Sequence, residues 1–216
     1  MDTEAQSTQD FSDEEVEILQ EIMNIAFGQS ASDLAEVIDT QVVLAVPFIK
    51  IMQVPELPVY IKENVKKYKQ ISIVEQKFWG KLKGDALLIF SSGSGKALIK
   101  MLQSDDRQGM DTGPVDILER ETLMEVGNIL IGACVGKLAE LLHDIVTYTP
   151  PLVLVEKEYE EAITSGHYDP EKTAIVLKTD FLFERGNVSG FLFLVTSNES
   201  IKWLRDALKI FIEQYE

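Results

Sequence analysis

Two glutamate–asparagine pairs stand out as groups able to manage a proton or hold a water. Glu21 and Asn24 are three residues apart and are followed, 22 residues after the asparagine, by Pro47. Glu125, Asn128 and Pro151 repeat that pattern 104 residues later, with no insertion. A carboxylate can accept hydrogen bonds or pair with a cation, and a carboxamide can donate and accept at once.

An α-helix would align each set. Positions 17, 21, 24 and 28 advance by four, three and four residues. At about 100° per residue they stay within a stripe roughly 60° wide. Glu17, Glu21, Asn24 and Gly28 therefore share one face, as do Glu121, Glu125, Asn128 and Gly132. The remaining circumference is largely apolar: Ile18, Ile22, Ile25 and Leu34 in one copy, Leu123, Met124, Ile129, Leu130 and Leu138 in the other. Such helices should pack against a sheet. A solvated polar face is the ordinary explanation of one such stripe, and a duplication copies structural residues too. Gly28 and Gly132 read as marks of close backbone approach, and Pro47 and Pro151 as residues that place a strand edge or turn.

Residues 1–11 are polar and form an expected disordered lead-in. Ser12 to Glu15 has the capping-box pattern, with Phe11 placed to staple against Val16, and a helix is expected from there to about Val37. Residues 41–52 read as two short strands, or one broken at Pro47. Residues 68–80 and 86–90 read as an antiparallel hairpin turning at Lys83-Gly84-Asp85, and 94–103 as a helix. Residues 104–114 have linker composition. The sequence then restarts: a helix over 115–142, a strand after Pro151, a polar stretch near 158–171, a hairpin of 174–183 with 190–196 turning at Arg185–Asn187, and a helix over 199–214. The expected repeats are 12–103 and 115–216, forming one domain. The expected fold class is α/β of the α+β kind. It is a pseudo-twofold duplicated fold with a mainly antiparallel central sheet and two long motif-bearing helices.

The net charge is −16 over 216 residues, which argues against nucleic acid and anionic membrane as partners. Cys134 is the only cysteine, so no internal disulfide can form, and its apolar neighbours give it the character of a small buried hydrophobe. No signal peptide is apparent and no apolar run approaches the roughly 20 residues of a spanning helix; a cytoplasmic location is expected. His143 and His167 lack partners at metal-ligand spacing, so no metal site is expected. Ser91-Ser-Gly-Ser-Gly-Lys96 fails the P-loop pattern, lacking its first glycine and the hydroxyl after lysine, and reads as a strand-to-helix turn.

Glu-x-x-Asn-x22-Pro, with NIAFG at 24–28 and NILIG at 128–132, resembles the signature of the CheC/CheX/FliY chemotaxis phosphatases over essentially residues 12–216. Two copies resemble the CheC branch. The resemblance implies a fold shared with those proteins and hydrolysis of the phospho-aspartate of a CheY-like response regulator. It implies that Asn24 and Asn128 orient the attacking water, and that Glu21 and Glu125 engage the regulator's lysine. Any Mg²⁺ would belong to the regulator, and this chain would need no cofactor. The family's fuller pattern has Asp or Ser where Glu17 and Glu121 stand, so these docking positions keep the acid with one more methylene. The first copy has Met23 where the second has Gly127, whose EVGN run is closer to the family's, and this favours the second site as the more active. The rival reading is a non-catalytic binding protein related to the flagellar-switch components FliY and FliM, or one that binds CheD. CheD is in either case a candidate partner, and a monomer is expected over an obligate oligomer.

Overall fold

The computed structural model describes residues 12–38, 41–45, 47–68, 70–102, 115–158, 173–184, 188–196 and 198–215. The expected lead-in and linker, the Phe11 staple, His167 and the turn at Arg185–Asn187 lie outside the described residues.

Helix α1 (Asp13–Ile38) leads to two short strands, β1 (Val42–Leu44) and β2 (Phe48–Gln53), which Pro47 separates. A single 3-10 turn (Val54–Glu56) and helix α2 (Leu57–Val65) follow. The hairpin β3 (Gln70–Trp79) and β4 (Gly84–Ser91) and helix α3 (Ser94–Leu102) complete the first half. The second half contains α4 (Val115–Leu141), β5 (Thr147–Tyr148), β6 (Leu152–Glu158), β7 (Thr173–Phe183), β8 (Val188–Thr196) and α5 (Asn198–Tyr215). The mixed architecture and antiparallel sheet agree with the expected fold class.

All eight strands form one antiparallel sheet in which β7, β8, β4 and β3 are central, β1 and β2 share one edge, and β5 and β6 share the other. The second half repeats the pairing of the first. Val43 pairs with Leu182 as Thr147 pairs with Trp79, which relates β1 to β5 by 104 residues and β3 to β7 by 103. In the central β4–β8 ladder Leu87 pairs with Phe193, flanked by Gly84 with Thr196 and Phe90 with Gly190. Exchanging the halves maps this ladder onto itself, so the pseudo-twofold axis passes through Leu87 and Phe193. One departure is a register shift between Ile71 and Ile73, where β6 gains a residue that β2 lacks.

Strand alternation divides the core into two layers. Leu88, Phe90, Leu192 and Leu194 face α1, α3, α4 and α5, while Leu87, Ile89, Phe191 and Phe193 face α2. Sequence reading assigns no element to α2, which follows Pro55 in the 3-10 turn and contains Pro58. Pro58 lies in the first helical turn, where a missing N–H is harmless. The first hairpin turns at 80–83 rather than at 83–85. Gly84 already belongs to β4, where a Cβ would collide with the Val195 carbonyl; Gly190 meets the Ile89 carbonyl in the same way.

The expectation that no apolar run approaches a spanning length is corrected by α4, whose Ile117–Leu141 stretch is long and apolar enough by length and composition. In this fold it is a core helix: Leu123, Val126, Leu130, Ile131 and Leu138 are buried against α1 and the sheet.

Candidate functional site

The capping box at the start of α1 forms as expected. The Ser12 N–H donates to Glu15 Oε2 at 2.9 Å, and the Glu15 N–H donates to Ser12 Oγ at 3.1 Å. Leu19, Ile22, Met23, Ala26 and Phe27 then bury one side of the helix. Ser30 Oγ lies 2.8 Å from the Ala26 carbonyl and 2.9 Å from that of Ala133 on α4, so it ties the two long helices together. The opposite face is left to solvent. Glu17, Glu21, Asn24 and Gly28 are exposed on α1; on α4 Glu121, Glu125 and Asn128 are exposed and Gly132 is half-buried. Ile25 and Met124, expected among the packed residues, are exposed beside these stripes.

Pro47 and Pro151 immediately precede the edge strands β2 and β6. Pro47 is buried and Pro151 half-buried, and the residue after each, Phe48 or Leu152, is more than half exposed. Gln20 Nε2 donates to the Pro47 carbonyl at 2.8 Å, which holds the first edge against α1 beside Glu21.

The sites differ beneath their asparagines. Gln76, on the inward face of β3 and 2% exposed, donates from Nε2 to Asn128 Oδ1 at 2.8 Å and to the Thr149 carbonyl at 2.9 Å. The 103-residue relation between β3 and β7 puts Thr179 in the equivalent place. Thr179 Oγ1 lies 2.6 Å from the Ala45 carbonyl and 3.3 Å from that of Asp180, and makes no bond to Asn24 among the described residues. Asn24 has no side-chain hydrogen bond among the described residues. Sequence reasoning missed Gln76; the available signal was a polar residue at an inward position, between Val74 and Phe78.

No family model matches the chain. It is 27% identical over 130 residues to the CheY-P phosphatase CheC of Bacillus subtilis, a match that spans 60% of each chain. In fold it is similar to Thermotoga maritima FliY, with a TM-score of 0.69 at 18% identity, covering 93% of this chain and 98% of that one. It is also similar to a chain of the Helicobacter pylori FliG–FliM complex, with a TM-score of 0.61 at 12% identity, covering 91% and 100%. The sequence match is thus to a CheC-type protein over part of the chain, and the shared fold is that of FliY and FliM.

The CheC-like fold corrects the reading of two glycines. A Cβ at Gly28 or Gly132 would meet nothing within 4 Å, so neither marks close internal packing. The tight approach is at Gly127, where a Cβ would lie 2.7 Å from the Val74 side chain; Met23 is its buried counterpart on α1. Among the other residues that could do chemistry, Cys134 is fully buried, and burial pushes its thiol up to about 12 despite a hydrogen bond with Ser30. It is a packed hydrophobe, as expected. The Ser91–Lys96 segment is a strand-to-helix turn with Gly93 at φ +80.

Proposed function

We propose that the chain is a phosphatase for the phospho-aspartate of a CheY-like response regulator, with one site on α1 and one on α4. The observation that carries this reading is the disposition of the two Glu-x-x-Asn pairs. Both are exposed on helices whose other sides are held in the core, so a partner can receive them without the helix yielding. The similarity to a CheY-P phosphatase supports the substrate class.

In this reading Asn24 or Asn128 enters the regulator's site and holds a water. Its carboxamide donates a hydrogen bond to the water or the phosphoryl group and accepts one from the water, whose protons stay with the phosphate formed. The water oxygen bonds to phosphorus as the bond to the aspartyl oxygen breaks, and aspartate leaves as carboxylate while phosphate is released. An acyl phosphate is already activated, so alignment is the main contribution asked of the protein. An amide suits the position better than a carboxylate, which the phosphoryl charge would repel. Glu21 and Glu125 meet the regulator's lysine, and Glu17 and Glu121 extend the docking stripe by one turn. Mg²⁺ arrives with the phosphorylated regulator. The chain acts in the cytoplasm, where its net charge of −16 suits a partner that presents positive charge.

The likeness to the FliM of the FliG–FliM complex favours a second reading, a binding protein of the flagellar switch. Loss of phosphate from a phosphorylated CheY-like regulator separates the two. The wild type should accelerate it, Asn24→Ala and Asn128→Ala should each lower the rate, and the double variant should return it to the regulator's own decay. Binding without acceleration by the wild type would establish the switch-protein reading instead.

A further inference from the structure

We propose that Gln76 is a positioning residue that locks the carboxamide of Asn128 in one orientation, and that Thr179 leaves Asn24 without this brace. The consequence for rate rests on the phosphatase reading; the brace itself does not.

The direction of the Asn128 amide follows from a backbone group. A carbonyl can only accept, so the Gln76 atom 2.9 Å from the Thr149 carbonyl is the nitrogen. That same nitrogen lies 2.8 Å from Asn128, so the Asn128 atom facing it is the oxygen. The Asn128 amino group is thereby turned away from Gln76, and Oδ1 keeps a second lone pair. Thr149 is itself fixed to β3: its N–H donates to the Lys77 carbonyl at 3.0 Å, and its Oγ1 accepts from the Lys77 N–H at 3.1 Å. The chain of constraint therefore runs from sheet backbone to Gln76 to Asn128.

Stability alone does not account for Gln76. Its Oε1 is buried without a partner among the described residues, an arrangement that weakens a fold. Thr179 shows that a shorter side chain keeps the bond to the edge carbonyl in the other half. What glutamine adds is the reach to the asparagine. A carboxamide held in one orientation presents its donor and acceptor at fixed places before the substrate arrives, and small misplacements of such groups cost up to about 100-fold in rate.

Side-chain amide relaxation by NMR tests the brace without reference to activity. In the wild type the Asn128 amide should be ordered and that of Asn24 mobile, with an order parameter below about 0.6. Q76T should mobilise Asn128, and T179Q should order Asn24. Equal mobility of the two amides in the wild type would overturn the inference. So would a folded Q76T with Asn128 still ordered. Should Q76T not fold, T179Q decides: an Asn24 amide as mobile as before counts against the brace.

Regulator dephosphorylation then reads the consequence. In an Asn24→Ala background Q76T should lower the maximal rate about tenfold at an unchanged half-saturating regulator concentration. In an Asn128→Ala background T179Q should raise it. Unchanged maximal rates in both would remove Gln76 from the catalytic argument. A wild type that fails to accelerate decay defeats the phosphatase reading, and the amide measurement still decides the brace.

Discussion

Glu15 is a buried carboxylate at the base of the first candidate stripe, two residues before Glu17. It accepts from the Ser12 N–H, and Arg205 Nε on α5 donates to its other oxygen at 2.9 Å. Burial pushes its carboxyl up, but the bonds from Arg205 and Ser12 favour the charged form and bring it below the ordinary 4.5. A folded pKa below the unfolded one stabilises the protein fully above about pH 4.5. That contribution is lost as pH falls through the lower folded value. Glu15→Gln should therefore lower stability at neutral pH by on the order of 1–3 kcal/mol, or a few degrees of Tm. Thermal melts of both proteins from pH 7 to pH 3 should converge at the acid end; a constant gap would mean that the charge is not the cause.

Helices α1 and α4 present the same outward stripe on different inner faces. Met23 fills the space beneath α1, whereas Gly127 lets α4 settle on Val74. Gly28→Ala and Gly132→Ala should each stabilise the fold by about 0.5–1 kcal/mol, since the added methyl meets nothing and the helix gains propensity. Gly127→Ala should destabilise by about 1–3 kcal/mol through overpacking. Urea unfolding midpoints read all three, and opposite signs would mean the packing around α4 is misassigned. These helices were legible in the sequence because periodicity and length agree, with a capping box as well at the start of α1. The strands around Pro47 and both hairpins were legible from β-branched, apolar runs bounded by turn residues. The helix α2 was not, because Pro55 and Pro58 together resemble a loop until Pro58 is seen in the first helical turn. The openness at Gly28 and Gly132, and the bond from Gln76 to Asn128, depend on which element lies over which. Local spacing does not encode that.

At the scale of the whole molecule, the halves meet through β4 and β8, with Leu87 and Phe193 on the pseudo-twofold axis. Each half alone would expose a long apolar central strand, an edge of the kind that pairs with another chain. Residues 1–103 produced alone should not remain monomeric. Light scattering should find a dimer joined through β4, or larger species, and a folded monomer would show that the central ladder is dispensable. The intact chain has a different defence at its true edges. Each is made of two short strands with a break, at Ala45–Pro47 and at Thr149–Pro151. At those breaks the Ala45 and Thr149 carbonyls are already bonded inward by Thr179 and Gln76, and proline offers no N–H. A foreign strand finds no continuous row of donors and acceptors there to extend. The signature proline thus interrupts each outer edge of the sheet where its two strands meet, shortening the row that a foreign strand could pair with.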